Sequence, residues 1–466
     1  MLLMINSESK TPIYVQIYQL LKEKIQKKEF HSDERLPSKR QLAKINNISQ
    51  NTVMGAYNQL LVEGYIYSIE RKGYYVSNIE FHSPPIPLKK EEDKEIQQDK
   101  KIHYDFTRSN PDQELFPYAS FSKLYQKLFE KKERSLIEES DSQGLYPLRK
   151  ELQKYLSLSR GVPCSTQQII LGPSSEYLLN ILFQLLDKNL ELGLEDPGYQ
   201  GFQSLIRRSQ ISYQPIKLSE EGLNIKDLSQ STVNLMIVTS NHQFPTGHIM
   251  PLKKRQDLLN WANQGSERYI VENDYDSEFK YSGLPIPSLK YLDKKDRVVH
   301  LSSFTRLLSP GMRLAYMVLP EELSNRYQEK FSYHSASLST FEQWIIHDFL
   351  AEGHFTKHLN HSRTFYKKKR DQFIKAIKQQ DPKANILGGE AGLHLLIEPS
   401  FNFDPVLFKK EALKKKIKLT LLSDYRFSET KDKQKSIFLS FSSIPEQDID
   451  QIIQDIFKIA EFAQIK

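Results

Sequence analysis

The sequence predicts an α/β protein of more than one domain, and three observations support this. At 466 residues the chain is too long for a single ordinary core, which predicts two or three domains. The first 77 residues combine three helical patterns with a hairpin pattern, which indicates a winged helix-turn-helix. From residue 105 onward, helical and β-rich runs alternate. This predicts a mostly parallel sheet covered by helices, followed by a smaller C-terminal α+β part.

Composition limits the class of protein further. Hydrophobic residues make up 39% of the chain, which is enough for packed interiors. The net charge is +7, and residues 1–77 carry 11 basic and seven acidic side chains, an excess that favours nucleic acid as a partner. Cys164 is the only cysteine, and no apolar run has transmembrane length. We therefore expect a cytoplasmic protein without a membrane partner, and no residue spacing indicates a metal site.

The N-terminal elements follow from local signals. A helix is expected after Thr11-Pro12, with Pro12 at the first helical position, and a short second helix is expected near Leu36. Ser49 is expected to cap a third helix that stops at Gly64. A hairpin with a basic turn is expected from Tyr65 to Ser77.

Several motifs in this segment resemble GntR-type regulators. They are Arg35-Leu36-Pro37-Ser38, Arg40-Gln41-Leu42-Ala43, Ser49-Gln50-Asn51-Thr52-Val53, Glu63-Gly64 and Gly73. The resemblance implies DNA binding, with the start of the third helix in the major groove. The residues expected to contact DNA are Arg35, Ser38, Lys39, Arg40, Ser49, Gln50, Asn51, Thr52, Lys72 and Gly73. Taken singly, each lysine could instead belong to a solvated helix face.

A second resemblance lies at residues 302–316, which are similar to the segment that carries the cofactor lysine in fold-type I pyridoxal-phosphate enzymes. The most similar are the aminotransferase-like domains of MocR/GabR-type transcription regulators. Arg306 stands at the lysine position, and a guanidinium stays protonated and cannot form a Schiff base. We therefore expect no covalent aldimine, so pyridoxal phosphate could bind only non-covalently. The positions that match the pattern are Phe304, Thr305, Pro310, Arg313 and Tyr316.

The aminotransferase-like resemblance extends over roughly residues 105–460 and suggests a division of the chain. We expect a DNA-binding domain at 1–77, a proline-rich and charged linker at 78–104, a large domain at 105–355 and a small domain at 356–466. The resemblance places ten residues at a cofactor or effector pocket: Ser174, Ser175, Tyr199, Gln243, Asn273, Tyr275, Ser303, Thr305, Arg306 and Arg313.

Two further departures accompany Arg306. Relatives carry an acid two residues before Tyr275, where it pairs with the protonated ring nitrogen of the cofactor, and here that position is Asn273. Glu272 and Asp274 are the neighbouring carboxylates. Aminotransferases often place an arginine for the substrate carboxylate near the C-terminus, and here Phe438 stands at or near that position. The catalytic set of an aminotransferase is therefore incomplete, and we expect no catalytic residue.

The resemblance implies a homodimeric transcription regulator that reads paired DNA half-sites. Its aminotransferase-like domain would serve dimerisation and sensing of a small anionic effector, and would be catalytically inactive. The alternatives are a regulator that binds pyridoxal phosphate or a related anion non-covalently, a scaffold in which Arg306 pairs with a local acid, and, less favoured, an active aminotransferase. The basic stretch from Phe355 to Ile377 indicates either a solvated helix face near a dimer interface or a second nucleic-acid surface.

Overall fold

The computed structural model describes most of the chain and divides it into two compact units, Met1–Gln98 and Asp99–Lys466. Residues 79–101, which make up most of the expected linker, lie outside the described residues. The described residues are 1–6, 9, 11–78, 102–131, 136–138, 140–186, 189–219, 222–265, 267–281, 287–428 and 435–465.

The first unit contains three helices and a hairpin, as the sequence predicts. Its elements are α1 (Ile13–Gln26), α2 (Lys39–Ile45), α3 (Gln50–Val62), β1 (Ile66–Ile69) and β2 (Gly73–Val76). The two strands pair antiparallel. One detail differs from expectation, because Pro12 has an extended backbone and caps α1 from outside, so that the helix begins at Ile13.

A small apolar core joins these elements. Ile17 and Leu21 of α1 lie against Val53 and Leu60 of α3, and all four are fully buried. They repeat at the three- and four-residue spacing of one helix face, which explains why these segments form amphipathic helices. Tyr57 is also buried, and its hydroxyl donates to the carbonyl of Pro37, 2.7 Å away, tying α3 to the start of α2.

The second unit is built on an eight-stranded, mostly parallel sheet in the order β4-β11-β10-β9-β8-β5-β6-β7, with β11 and β7 antiparallel to their neighbours. Strands β3 and β14 form a separate parallel pair. A four-stranded antiparallel sheet has the order β12-β13-β16-β15. The strands are β3 (Tyr104–Asp105), β4 (Ile169–Gly172), β5 (Glu191–Asp196), β6 (Ser212–Ser219), β7 (Gly222–Leu223), β8 (Leu235–Val238), β9 (Tyr269–Asp274), β10 (Val298–Ser303), β11 (Ala315–Val318), β12 (Asn385–Leu387), β13 (His394–Glu398), β14 (Ile417–Lys418), β15 (Thr420–Leu421) and β16 (Ile437–Ser440).

Helices cover both faces of the large sheet. Strand β8 demonstrates this, because Leu235 and Ile237 belong to one apolar core while Met236 and Val238 belong to another. Alternate side chains of a strand point to opposite faces, so a strand buried on both faces is apolar throughout. The helices are α4 (Tyr118–Lys131), α5 (Tyr146–Tyr155), α6 (Ser175–Leu185), α7 (Gln200–Ser209), α8 (Ile225–Gln230), α9 (Leu252–Asn263), α10 (Leu289–Leu292), α11 (Glu321–Phe331), α12 (Thr340–Ala351), α13 (His354–Gln380), α14 (Pro405–Lys414) and α15 (Ile449–Phe462).

The predicted α/β fold class is confirmed, and the basic stretch in the C-terminal part is the long helix α13. Its lysines are not equivalent. Lys368 is 73% exposed and pairs with Glu446, whereas Lys369 is 2% exposed and its Nζ lies 2.7 Å from both a carboxylate oxygen of Asp112 and the carbonyl of Ser442. A basic run that the sequence indicates as one surface therefore contains a buried structural ion pair.

We predict that Lys369→Met lowers the free energy of unfolding of the second unit by about 3 kcal/mol, because the carboxylate of Asp112 loses its buried partner. The adjacent Lys368→Met should change it by less than about 1 kcal/mol, since exposed ion pairs contribute little. Both tryptophans, Trp261 and Trp344, lie in the second unit, so tryptophan fluorescence during urea unfolding reports on that unit alone. Equal effects of the two substitutions would contradict the structural role of Lys369.

Candidate functional site

The start of α3 presents polar side chains to solvent. Ser49 caps the helix, its hydroxyl oxygen accepting from the amide of Thr52 at 3.1 Å. Gln50 and Asn51 are exposed in the first turn, while Val53 on the opposite face is fully buried. This leaves two amide side chains free to donate to and accept from the base edges of a DNA groove.

The basic residues expected to contact phosphates lie beside the hairpin. Lys39 Nζ lies 5.4 Å from the ring centroid of Tyr74, and a Cβ added at Gly73 would lie 3.2 Å from Arg35 Nε. The amide of Leu36 donates to the carbonyl of Tyr74 at 2.9 Å, which holds the start of the second helix against strand β2. The exposed positions among the predicted set are Arg35, Ser38, Arg40, Ser49, Gln50, Asn51 and Lys72.

Two of the predicted contact residues have structural roles as well. Ser38 caps α2, its hydroxyl oxygen accepting from the amide of Gln41 at 3.2 Å. The hydroxyls of Ser49 and Thr52 lie 2.7 Å apart. The capping hydroxyls can still reach outward, since a serine oxygen has two lone pairs and one proton.

In the second unit, a cavity of about 260 Å³ opens at the edge of the sheet where β4, β8, β9 and β10 end. Ligand sites of open α/β sheets lie at this carboxyl edge. Nine of the ten residues that the sequence places at a pocket line this cavity. The complete lining is Ser174, Ser175, Glu176, Tyr199, Phe202, Thr239, Phe244, Asn273, Tyr275, Ser303, Thr305, Arg306 and Arg313.

Gln243 is the exception among the ten. Its amide nitrogen donates to the carbonyls of Pro197 and Phe244, at 3.0 and 2.6 Å, and its oxygen accepts from the hydroxyl of Thr246 at 2.6 Å. These bonds turn the side chain away from the cavity and connect its own loop to Pro197. The neighbouring Phe244 lines the cavity instead.

One end of the cavity is formed by the beginning of α6. The hydroxyl oxygen of Ser174 accepts from the amide of Tyr177 at 3.1 Å, which leaves the amides of the first turn at Ser175 and Glu176 without partners inside the helix. A helix N-terminus of this kind favours an anion. Arg313, which is exposed and also lines the cavity, adds a positive charge on the neighbouring strand end.

Arg306, which the sequence resemblance places at the position of the cofactor lysine, lines the cavity. Its guanidinium carbon lies 5.0 Å from the ring centroid of Tyr275. Its Nη1 is buried without a hydrogen-bond partner among the residues that the structure describes. The alternative in which a local acid pairs with Arg306 is not seen within that part of the chain, where Nη1 has no hydrogen-bond partner.

Asn273, rather than either neighbouring carboxylate, lines the cavity. Glu272 points into the core, where it accepts from the hydroxyl of Ser240 and the amide of Leu289, both at 2.7 Å. Asp274 pairs with Arg160. Burial alone would raise the pKa of Asp274, but the charges of Arg160 and His300 and the hydrogen bonds from Ser277 and Arg160 together lower it to about 2.

A buried polar cluster lies behind Tyr275. His242 Nδ1 lies 2.9 Å from a carboxylate oxygen of Asp276 and 3.1 Å from the Tyr275 hydroxyl. Burial, followed by the charge of Asp276, raises the pKa of Tyr275 well above its usual value, while Arg306 opposes this shift. The ligand atoms of His242, Asp276 and His394 lie within 4.8 Å of one another, a grouping that no spacing in the sequence indicated.

Glycines allow this cluster to pack closely. A Cβ at Gly247 would lie 2.3 Å from the Cα of Gly388, and a Cβ at Gly392 would lie 2.1 Å from the His242 ring. Both positions have positive φ, at 70° and 71°. Gly247 is thus required where its loop touches the loop of Gly388, and Gly392 is required where it lies against His242.

An aromatic cluster surrounds Phe438, which the sequence resemblance places at or near the position where aminotransferases hold the substrate carboxylate. Phe438 is fully buried, with its ring centroid 5.5 Å from that of Phe244 and 5.3 Å from that of Tyr425. An apolar cluster there offers no partner to a carboxylate.

The cavity residues partly fit pyridoxal phosphate. The start of α6, together with Arg313, suits a phosphate group. The residues that the resemblance assigns to the chemistry of this cofactor do not fit. Arg306 has no nucleophilic amine for a Schiff base, and Asn273 has no charge to pair with a protonated ring nitrogen.

Family models match both units. The model described as "Bacterial regulatory proteins, gntR family" matches residues 13–76, and "Aminotransferase class I and II" matches residues 112–456. The HTH-type transcriptional regulator YdeL of Bacillus subtilis is 32% identical over 96% of this chain and 96% of its own length. The probable rhizopine catabolism regulatory protein MocR of Rhizobium meliloti is 27% identical over 80% of this chain and 78% of its own length.

Solved structures support the fold of the second unit. The multiple substrate aminotransferase of Thermococcus profundus superposes with a TM-score of 0.69 at 22% identity, covering 78% of this chain and 92% of that one. At such identity the likeness concerns the fold alone.

The order of the two matched domains defines a transcription regulator with an aminotransferase-like second domain. The chain belongs to the MocR type of GntR-family regulators, and the resemblance seen in its sequence is confirmed. No helix within the described ranges is long and apolar enough to cross a membrane.

Four lining residues were not predicted: Glu176, Phe202, Thr239 and Phe244. Thr239 directly follows β8, so the rule that sites gather at the carboxyl ends of parallel strands could have identified it. Phe202 and Phe244 carry no chemical signal, and their role depends on three-dimensional packing.

Beside the cavity, Glu195 is fully buried, and burial raises its pKa to about 7 against the hydrogen bonds from Thr239. In the unfolded chain its pKa is near 4.5, so between those values the folded state binds more protons and stability falls as pH rises. We predict that Glu195→Gln removes this slope. From pH 5 to pH 8 the variant should gain about 2 kcal/mol relative to the unsubstituted protein, measured by urea unfolding with tryptophan fluorescence.

Glu191→Gln provides the matched control, because Glu191 begins the same strand and is only half-buried. Parallel pH profiles for the Glu195→Gln variant and the unsubstituted protein would contradict the raised pKa.

Proposed function

We propose that this regulator acts as a homodimer, that its first unit binds paired DNA half-sites, and that its second unit binds a small anion without covalent attachment and without catalysing transamination. The observation that carries the proposal is the guanidinium of Arg306, which lines the cavity and whose Nη1 has no hydrogen-bond partner among the described residues. A permanent cation at that point attracts an anion and cannot act as a nucleophile.

The DNA-binding part rests on the first unit. Residues 1–77 are the DNA-binding domain in this proposal, with Gln50 and Asn51 reaching base edges and the basic residues near the hairpin contacting phosphates. Residues 78–104 are the linker, and residues 105–355 and 356–466 are the large and small parts of the second domain. Two winged helices on one dimer would gain affinity for paired half-sites by linked binding.

Exposed aromatic side chains support dimerisation of the second unit. On α4, Tyr118 is 68% and Phe129 is 57% exposed, and Tyr146 at the start of α5 is 53% exposed. Large apolar groups on a surface often mark an interface with another chain. The cytoplasm, where DNA and small metabolite anions are both accessible, is the proposed location.

We predict that full-length protein selects specific duplexes from a random DNA library. Asn51→Ala should cost about 1 to 3 kcal/mol on the selected duplex and broaden the preference at the base positions it contacts. Lys72→Ala should weaken binding about equally on all sequences and reduce the salt slope by roughly one.

Lys253→Ala, at an exposed position at the start of α9, should leave DNA binding unchanged. Failure to select any duplex, or equal loss with all three variants, would refute the DNA-binding assignment.

We predict that pyridoxal phosphate, if bound, exchanges freely with solvent. After titration, borohydride reduction and intact-mass analysis should give the mass of the unmodified chain, because Arg306 has no nucleophilic amine. The Arg306→Lys variant, treated identically, is the positive control. A stable adduct at one lysine of the unsubstituted protein would reopen the assignment of an enzyme.

A further inference from the structure

The geometry points to a ligand with two separate anionic groups: a phosphate monoester that also carries a carboxylate, with the carboxylate bound by Arg306. This inference rests on the proposed non-covalent anion site and adds the chemical class of the ligand. The preference for a ligand that carries a carboxylate does not follow from the fold. It depends on two side chains of this chain, Arg306 and Asn273.

The two arginines of the cavity belong to different places along the sheet edge. The start of α6 follows β4, and Arg313 lies two residues before β11, the neighbour of β4. Arg306 lies over Tyr275, which directly follows β9. Strands β11 and β9 are separated by β10, so their ends are roughly 10 Å apart at about 4.8 Å per strand spacing. The strand ends that carry these contacts are therefore separated along the sheet edge, which favours one anionic group at each arginine.

The start of α6 suits the phosphate group. It offers backbone amides of the first turn, and the hydroxyls of Ser175, Ser303 and Thr305 also line the cavity. Several donors converging from different directions match a tetrahedral group with three terminal oxygens. Arg313 supplies the countercharge at that end.

Arg306 suits a planar carboxylate. Its guanidinium carbon lies 5.0 Å from the Tyr275 ring centroid, and its N–H donors point along the guanidinium plane. A buried N–H without a partner is costly, and Nη1 is such a group within the described residues. A carboxylate lying in the guanidinium plane can accept two parallel hydrogen bonds and remove that cost.

Asn273 completes the argument. An acid at this position would repel a ligand carboxylate held by Arg306, and a neutral amide does not. Among the described residues that line the cavity, the acidic side chain is Glu176, and it has a partner in Arg208 at 3.5 Å. Arg306 and Asn273, the two departures from the aminotransferase pattern, therefore have the same effect. Both favour a ligand whose negative charge lies next to Tyr275.

The test is calorimetric titration of the full-length protein with two probes that differ at one group. Pyridoxine 5′-phosphate carries an alcohol at ring position 4, and 4-pyridoxic acid 5′-phosphate carries a carboxylate there. We expect the carboxylate probe to bind at least about tenfold more tightly. Arg306→Met should reduce this ratio to near one, because it weakens the carboxylate probe much more than the alcohol probe.

Arg306→Lys is the matched control, because it keeps the charge without the planar fork, and it should retain part of the preference. Arg313→Met should weaken both probes equally. Tryptophan fluorescence during urea unfolding verifies that each variant is folded. Equal binding of the two probes to the unsubstituted protein would overturn the two-anion ligand and leave the anion site intact, whereas binding of neither probe would overturn the proposed anion site as well.

Discussion

The structure depends on the parallel alignment of β4, β5, β8, β9 and β10 within one sheet. Parallel strands end at the same edge, so the residues that follow them must meet there although they are far apart in the chain. Tyr199, Thr239, Asn273 and Ser303 come together for this reason alone. Burial of the strands on both faces keeps that edge in place, and the cavity can therefore change its chemistry without a change of fold.

The sequence was sufficient to predict both units and most of the cavity. Helix spacing and capping residues are local signals, so α1, α3 and the hairpin were predicted closely, and only the role of Pro12 differed by one position. The resemblance places Asn273 at the pocket and leaves its acidic neighbours as alternatives; in the structure Asn273 lines the cavity, while Glu272 and Asp274 bond elsewhere.

What the sequence could not reveal depends on long-range packing. Gln243 is placed at the pocket by the resemblance, yet hydrogen bonds to Pro197 and to Thr246 of its own loop turn it from the cavity. Lys369 and Lys368 are the same residue type. The contact with Asp112, 257 positions away in the chain, distinguishes the buried Lys369 from its neighbour. The sequence also could not show whether a carboxylate lies beside Arg306, because several carboxylates could have reached it. Among the described residues, Nη1 of Arg306 has no hydrogen-bond partner.

The close approach of Gly247 to Gly388, and of Gly392 to His242, has a consequence for tracing related chains. Gly247 is required by backbone contact between two loops and Gly392 by the His242 ring, whatever molecule occupies the cavity. Mutational drift that removes a nucleophile or a charge partner leaves that steric requirement untouched. We therefore expect divergent members that have lost every reactive group to remain recognisable by their interlocking glycines, so that ancestry is better traced through contact points than through reaction chemistry.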